Sequence, residues 1–418
     1  MKKIFAEIIT IGDEILYGQI TDTNSQWMSY ELDKIGIKTI RKSSVGDDEA
    51  EILQILKEAE GRADLILITG GLGPTKDDIT KKTLALYFDS ELKVNDEALD
   101  DVTEFFRKRG RELTGLNQNQ ALLPDKSQIV RNRLGTAPGM WFEKGKKVFV
   151  SMPGVPFEMK GMMEEVVLNR VKAFYQTPFI EHRIIRTIGI GESFLAEKIE
   201  HWEESLPPHM KLAYLPSIGE VKLRITAFGD EARILGKELD EQTEKLLALA
   251  GKYVYAFGEN EFEKALGDIL RKHKKTIAFA ESCTGGFISY SIARIPGASD
   301  YFKGSVVAYQ NEVKVNQLGV KEETLQQHGA VSEDTVKEMA RGVRQRLGAD
   351  VGIATSGIAG PGGGTPEKPV GTIWIAYDDG QQVIAKKLHT SWTREVNIRW
   401  AMLAALNLVR LTLDEIEP

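Results

Sequence analysis

Hydrophobic positions along this chain alternate between short, wholly apolar runs and longer stretches that keep one face apolar. Ile8 to Ile11 reads as a first strand and Asn24 to Leu32 as a helix. Ile52, Ile55, Leu56 and Ala59 recur at the spacing that turns one helix face inward, and Asp64 to Thr69 follows as a strand buried on both faces. This order predicts an open α/β sheet over residues 1–175. A different texture fills 180–257: strand Arg183 to Ile188, helix Glu192 to Trp202, the turn Pro207-Pro208, the alternating strand Val221 to Thr226 and a helix from Glu231 to Ala250. That pattern predicts a small α+β module. A second α/β domain covers 260–418, with strands Ile277 to Ala280, Ser305 to Tyr309, Val351 to Ala354, Gly371 to Tyr377 and Val383 to Leu388. Its helices run through Val336, Met339, Ala340, Val343 and Leu347, and from about Arg394 to the end. The fold class is therefore multidomain α/β with a small α+β insert.

Composition narrows the function classes. A chain of 418 residues has length for several cores, and its net charge of −7 is spread without a basic stripe. Neither a nucleic-acid surface nor a membrane-surface helix is favoured. The single cysteine, Cys283, excludes an internal disulfide and a thiolate metal cluster. The amino-terminal run is broken by Glu7, and no stretch of eighteen uninterrupted apolar residues occurs, so the reading is a cytoplasmic protein without a spanning segment.

Chemistry concentrates after two strands. Ala278 to Gly286 ends an apolar run on Ser282 and Cys283, then opens into Thr284, Gly285, Gly286 and a helix. A hydroxyl placed there lies beside the free N–H groups of a helix start, which suits attack on an acyl group with the oxyanion held by backbone donors. A plain helix cap would use the same residue types. In the first domain Gly70, Gly71 and Gly73 follow the buried strand, with Thr75, Asp77, Asp78 and Thr80 close behind. Glycines let a backbone approach a phosphate, the threonines can donate to it, and the aspartates call for a divalent cation as mediator. The run is neither a Walker loop nor a dinucleotide fingerprint. Gly12 to Gly18 and Asp22-Thr23-Asn24 fall on the same sheet edge, whereas Asp47 and Asp48 read as caps of the helix after them. Pro138-Gly139-Met140 and Met152 to Pro156 read as rigid structural turns.

In order along the chain, Gly12 to Gly18, Asp22 to Asn24, Gly46 to Asp48, Thr69 to Thr80, Pro138 to Met140 and Met152 to Pro156 resemble the amino-terminal part of the CinA family. Ala280 to Gly286, Val307 to Tyr309, Asn311 to Lys314, Gly329 to Ser332 and Ser356 to Gly363 resemble its carboxyl-terminal, nicotinamide-nucleotide amidase half. The resemblance implies a molybdopterin-binding-like domain that hydrolyses ADP-ribose with a divalent metal (Mg, Mn or Co), a KH-type middle domain, and a cofactor-free amidase. The last would convert nicotinamide mononucleotide to nicotinate mononucleotide and ammonia. Around Pro207-Pro208-His209 there is no Gly-x-x-Gly loop, so RNA clamping is not expected.

Carried onto this sequence, the resemblance makes Ser282 the nucleophile, with Tyr309 and Lys314 acting beside it and Cys283 the alternative. None of the six histidines falls in a motif near Ser282, which argues against a Ser-His-Asp arrangement. Thr284, Gly285, Gly286, Ser356, Gly357, Gly360, Gly362 and Gly363 would line the nucleotide, with Arg394 or Arg399 adding a charged contact. In the first domain Asn24, Gly70, Gly71, Gly73, Thr75 and Thr80 would hold ADP-ribose, and Asp77 and Asp78 the metal. The amino-terminal domain as a non-catalytic pterin or nucleotide binder, and the chain as an adaptor in competence or recombination, are the alternatives. A homo-oligomer is left open.

Overall fold

The computed structural model describes residues 3–75 and 78–416. The chain divides into two compact units, Met1–Glu181 with Phe228–Gly236, and His182–Ala227 with Lys237–Pro418. The segments read from the sequence as middle and carboxyl-terminal domains thus make up most of the second unit.

In the first unit the strands are β1 (Ile4–Ile11), β2 (Ile37–Val45), β3 (Leu65–Thr69), β4 (Leu92–Val94), β5 (Leu122–Pro124), β6 (Gln128–Val130), β7 (Gly139–Lys144) and β8 (Lys147–Met152). Six of them form one sheet in the order β2-β1-β3-β8-β7-β6, while β4 and β5 pair as a separate ribbon. The pairs β1/β2, β1/β3 and β3/β8 are parallel, but β7 runs antiparallel to β8 and to β6. This edge differs from the expected open parallel sheet. Only Gly145 and Lys146 separate β7 from β8, and a connection that short closes a hairpin but cannot make a crossover. Gly139 and Met140 accordingly lie in a strand and not in a turn.

Alternate residues of the central strands feed opposite faces. Ile8, Leu67 and Val150 enter one core with Met28 and Leu32 of the helix Thr23–Lys34, while Ile9, Ile68 and Phe149 enter the other with Ile52 and Leu56 of the helix Glu49–Arg62. Helices on both faces explain why β3 carries no polar alternation.

The middle segment contributes β9 (Phe179–Ile188), β10 (Met210–Ser217), β11 (Glu220–Gly229) and β12 (Val254–Phe257) in the order β10-β11-β9-β12. The sequence pattern showed only two of these strands. β10 carries Pro216 and an exposed carboxyl-terminal end, and β12 is three half-buried residues and an exposed Phe257, so neither has a clean period of two.

The last five strands are β13 (Ile277–Glu281), β14 (Phe302–Val307), β15 (Val351–Gly357), β16 (Thr372–Asp378) and β17 (Val383–His389), ordered β14-β13-β15-β16-β17. β13 is parallel to both neighbours, and β16 and β17 run antiparallel. Ile277 and Phe279 face the helix Arg394–Leu413, and Ala278 and Ala280 face the helix Glu333–Leu347. The second face is built of small residues because that helix lies close: a Cβ on Gly352 would sit 2.1 Å from the Ala340 carbonyl oxygen. By length and composition Arg394–Leu413 could cross a membrane, yet Ala401, Leu406 and Val409 are fully buried in this core. It is apolar because it is a core helix.

Candidate active site

β13 ends at Glu281, and the next residue, Ser282, leaves the carboxyl edge of the parallel strands. The backbone there is held from both sides: Ser282 N donates to Thr355 O on β15 at 3.0 Å, and Ala308 N, just after β14, donates to Glu281 O at 2.8 Å. Gly285 and Gly286 then take φ of +60° and +97°, a region that side chains with a Cβ rarely adopt, so the chain can turn at once into the helix Phe287–Ala293. Lys314 comes from the helix Asn311–Leu318, an element the sequence pattern left unassigned. Only 1% of Lys314 is exposed, and its Nζ donates to Ser282 Oγ at 3.1 Å, to Ala308 O at 2.7 Å and to Tyr309 O at 3.2 Å. Burial lowers its pKa from the ordinary lysine value, favouring the neutral amine. Ser282 is thus a nearly buried hydroxyl paired with a buried amine whose proton is weakly held. That pairing can deprotonate a nucleophile without histidine. Cys283 is buried and its thiol is pushed up to about 12 by burial, which leaves too little thiolate near neutral pH for attack.

The other expected residues take distinct places. Tyr309 meets the lysine through its backbone carbonyl, while its hydroxyl accepts from Arg394 Nη2 at 2.9 Å. Arg394 Nη1 donates to Gly360 O at 2.7 Å, tying Tyr309 to the glycine-rich loop after β15. Gly362 and Gly363 are exposed in that loop, and Gly357 is pressed against Ile373, which a Cβ would approach to 2.6 Å. Thr284 Oγ1 is bonded to Thr355 Oγ1 at 2.8 Å and Ser356 Oγ donates to Ala330 O at 2.6 Å, so both hydroxyls already hold protein groups. Arg399 lies away from this cluster, lining a cavity of about 360 Å³ with Arg186, Lys222 and Tyr255. The amide N–H groups expected at the helix start are in part occupied: those of Gly286, Ile288 and Ser289 donate to the Glu281 carboxylate. The N–H groups of Cys283 and Thr284 donate to no backbone carbonyl among the described residues.

In the first unit a cavity of about 480 Å³ opens at the carboxyl edge of β1 and β3, lined by Gly12, Glu14, Asp47, Gly70 to Pro74, Asp78, Thr136, Gly154 and Glu158 among others. Gly70 is required by contact as well as by its φ of +112°, since a Cβ would lie 2.0 Å from the Ile11 carbonyl oxygen. Asp78 accepts from the Thr75 N–H at 3.0 Å and from its hydroxyl. Asp77 lies outside the described residues. Thr80 is buried at the start of the helix Thr80–Tyr87, and Asn24 lies under the loop, donating to Gly154 O at 2.7 Å; neither lines the cavity. Asp48 caps the following helix by accepting from Ala50 N and Glu51 N, as expected, but Asp47 turns to the cavity. Its pKa is raised by burial and by the neighbouring Asp13, Glu14 and Asp78 charges. Glu158, on the helix Pro156–Met162 that follows the Met152 to Pro156 turn, is also raised by burial and is held by Asn132 Nδ2 at 2.7 Å. Among the described residues no group of three His, Cys, Asp or Glu side chains converges as a metal-ligand set, and Asp77 lies outside them.

Comparison with known proteins fits this layout. Residues 7–173 match the molybdopterin binding domain (MoCF) family, 182–256 the damage-inducible protein CinA KH domain, and 259–413 the CinA C-terminal domain. A CinA-like protein of Cytophaga hutchinsonii is 56% identical over 414 residues, spanning 99% of each chain. The chain belongs to the CinA family. A CinA-like protein of Flavobacterium psychrophilum is 45% identical over 406 residues, 97% of each chain. The crystal structure of CinA from Thermoplasma acidophilum is 32% identical and covers 40% of this chain and 96% of its own, with a TM-score of 0.37. In this CinA-family chain the Ser282 cluster lies within the CinA C-terminal domain, and the glycine-lined cavity lies within the MoCF-like domain.

Proposed function

We propose that the CinA C-terminal domain is an amidase that hydrolyses the carboxamide of nicotinamide mononucleotide, giving nicotinate mononucleotide and ammonia. The observation that carries this reading is the 3.1 Å contact between the buried Lys314 amine and Ser282 Oγ. Neutral Lys314, its two N–H groups on Ala308 O and Tyr309 O, turns its lone pair to the Ser282 hydroxyl and takes its proton as Oγ attacks the amide carbon, and the oxyanion forms against the N–H groups of Cys283 and Thr284. The resulting lysine ammonium returns its proton to the departing nitrogen, and ammonia leaves an acyl-serine. Water then attacks the acyl carbon and gives a proton to Lys314; as the acyl–Oγ bond breaks Lys314 returns that proton to Ser282 Oγ, and the released acid ionises to the carboxylate. Arg394, fixed between Tyr309 and Gly360, and the exposed glycines after β15 are the groups suited to a nucleotide phosphate. Ammonia release from nicotinamide mononucleotide by purified protein tests the reading: it should be continuous, insensitive to chelator and lost in Ser282→Ala.

A second reading concerns the MoCF-like domain and rests on its cavity, where backbone and glycines of Gly70 to Pro74 face a carboxylate wall. It fits a nucleotide pyrophosphate accompanied by a divalent cation, and ADP-ribose is the substrate proposed. Among the described residues no three His, Cys, Asp or Glu ligands converge, so the phosphates of the substrate would share in holding the cation. Incubation with ADP-ribose, with and without Mg, Mn or Co, separates cleavage from binding without turnover; the latter result would make the domain a nucleotide or pterin binder.

A further inference from the structure

Glu281 immediately precedes the proposed nucleophile and has no exposed surface. One carboxylate oxygen accepts from the N–H of Gly286 and of Ile288, each at 3.0 Å; the other accepts from the N–H of Ser289 at 2.9 Å and from its hydroxyl. A buried carboxylate is costly unless such donors satisfy it, and here the donors all come from the far side of the turn that carries Ser282, Cys283 and Thr284. The clasp from Glu281 to Ser289 spans two glycines with positive φ, whose backbone would otherwise have the widest choice of conformations in the segment. Its main chain is fixed as well, by Ala308 N on one side and by the Ser282 N to Thr355 O bond on the other.

We propose that Glu281 is a positioning residue for the amidase: by drawing in the donors at Gly286, Ile288 and Ser289 it fixes the direction of Ser282 Oγ toward Lys314. This rests on the amidase reading above. It also explains why the start of the helix Phe287–Ala293 does not serve the nucleotide phosphate, its donors being filled from inside the protein.

Glu281→Gln in the full chain tests it. The replacement has the same shape, but its nitrogen presents N–H to N–H groups. Expected are a fall in kcat of at least tenfold, with the stoichiometry of nicotinamide mononucleotide binding by calorimetry unchanged and Kd within twofold. Glu281→Asp, one methylene short of the same donors, should not restore the rate. A folded Glu281→Gln protein with kcat within twofold of wild type overturns the inference, as does a loss of binding sites in proportion to the loss of rate. If neither variant folds, Ser289→Ala removes only the hydroxyl donor; kcat should fall about threefold or more with binding kept, and an unchanged kcat overturns the inference. Wild-type protein that releases no ammonia overturns the amidase reading and this inference with it, an outcome distinct from an active wild type with an equally active variant.

Discussion

Replacing Lys314 by Met keeps the length and apolar stem of the side chain while removing the amine that contacts Ser282 Oγ. General-base assistance by a positioned side chain is worth about 10²- to 10⁴-fold. At about 1.36 kcal/mol per tenfold, the barrier should rise by about 2.7–5.4 kcal/mol. The same change strips the Ala308 and Tyr309 carbonyls of their donor, a cost of about 1–3 kcal/mol for a buried acceptor left unpaired, but it also removes an amine that burial disfavours in its charged form. Those two effects oppose each other, so thermal unfolding should shift by only a few degrees while ammonia release from nicotinamide mononucleotide falls at least 100-fold. Steady-state ammonia release and a melting curve on the same preparation read both quantities. A Lys314→Met protein with an unchanged melting curve and a rate within tenfold of wild type would show that the lysine is not the base.

Further outcomes follow from the same geometry. Since burial lowers the Lys314 pKa, the neutral base forms below the ordinary lysine value of about 10.4, so kcat should rise with pH along a limb centred below that value; in the window between the two values folding stability should also rise with pH, because there the unfolded chain binds the extra proton. A limb centred at or above 10.4 contradicts it. A fragment from about Asn260 onward should fold and deamidate, although it loses the packing of Ile188 and Tyr255 against the core and the Arg410 bonds to Lys252 O and Val254 O; a folded but inactive fragment argues that the KH segment takes part in the reaction. In the MoCF-like domain Gly70→Ala should cost about 1–3 kcal/mol or more, since its Cβ would fall 2.0 Å from Ile11 O at a φ of +112°, and it should weaken ADP-ribose binding while leaving deamidation intact; calorimetry and an ammonia assay check the two arms.

Much of the layered α/β organisation could be read from sequence because β3 and β13 are uninterrupted apolar runs and the helices around them keep a clean face. The antiparallel hairpin β7/β8 was hidden by prolines and glycines that mark turns on either side of it, and by a two-residue connection that only register makes visible. At the Ser282 site the turn was visible in Gly285 and Gly286. Its partner Lys314 was legible only through the family resemblance, because it lies on a short helix whose spacing shows no apolar face, and a buried lysine looks like a surface one in sequence. Glu281 is harder still: within an apolar strand it reads as a boundary residue, and its role depends on donors five to eight positions later. The resemblance of Asp47 to a helix cap likewise concealed a cavity wall, since Asp48 beside it does the capping.

The most direct test of the account is ammonia release from nicotinamide mononucleotide by wild type, Ser282→Ala and Cys283→Ala, each assayed with and without a chelator. Wild type and Cys283→Ala should release ammonia at similar rates unaffected by the chelator, and Ser282→Ala should release none. An active Ser282→Ala protein, or a wild type silenced by the chelator, would contradict the assignment of a serine nucleophile activated by Lys314.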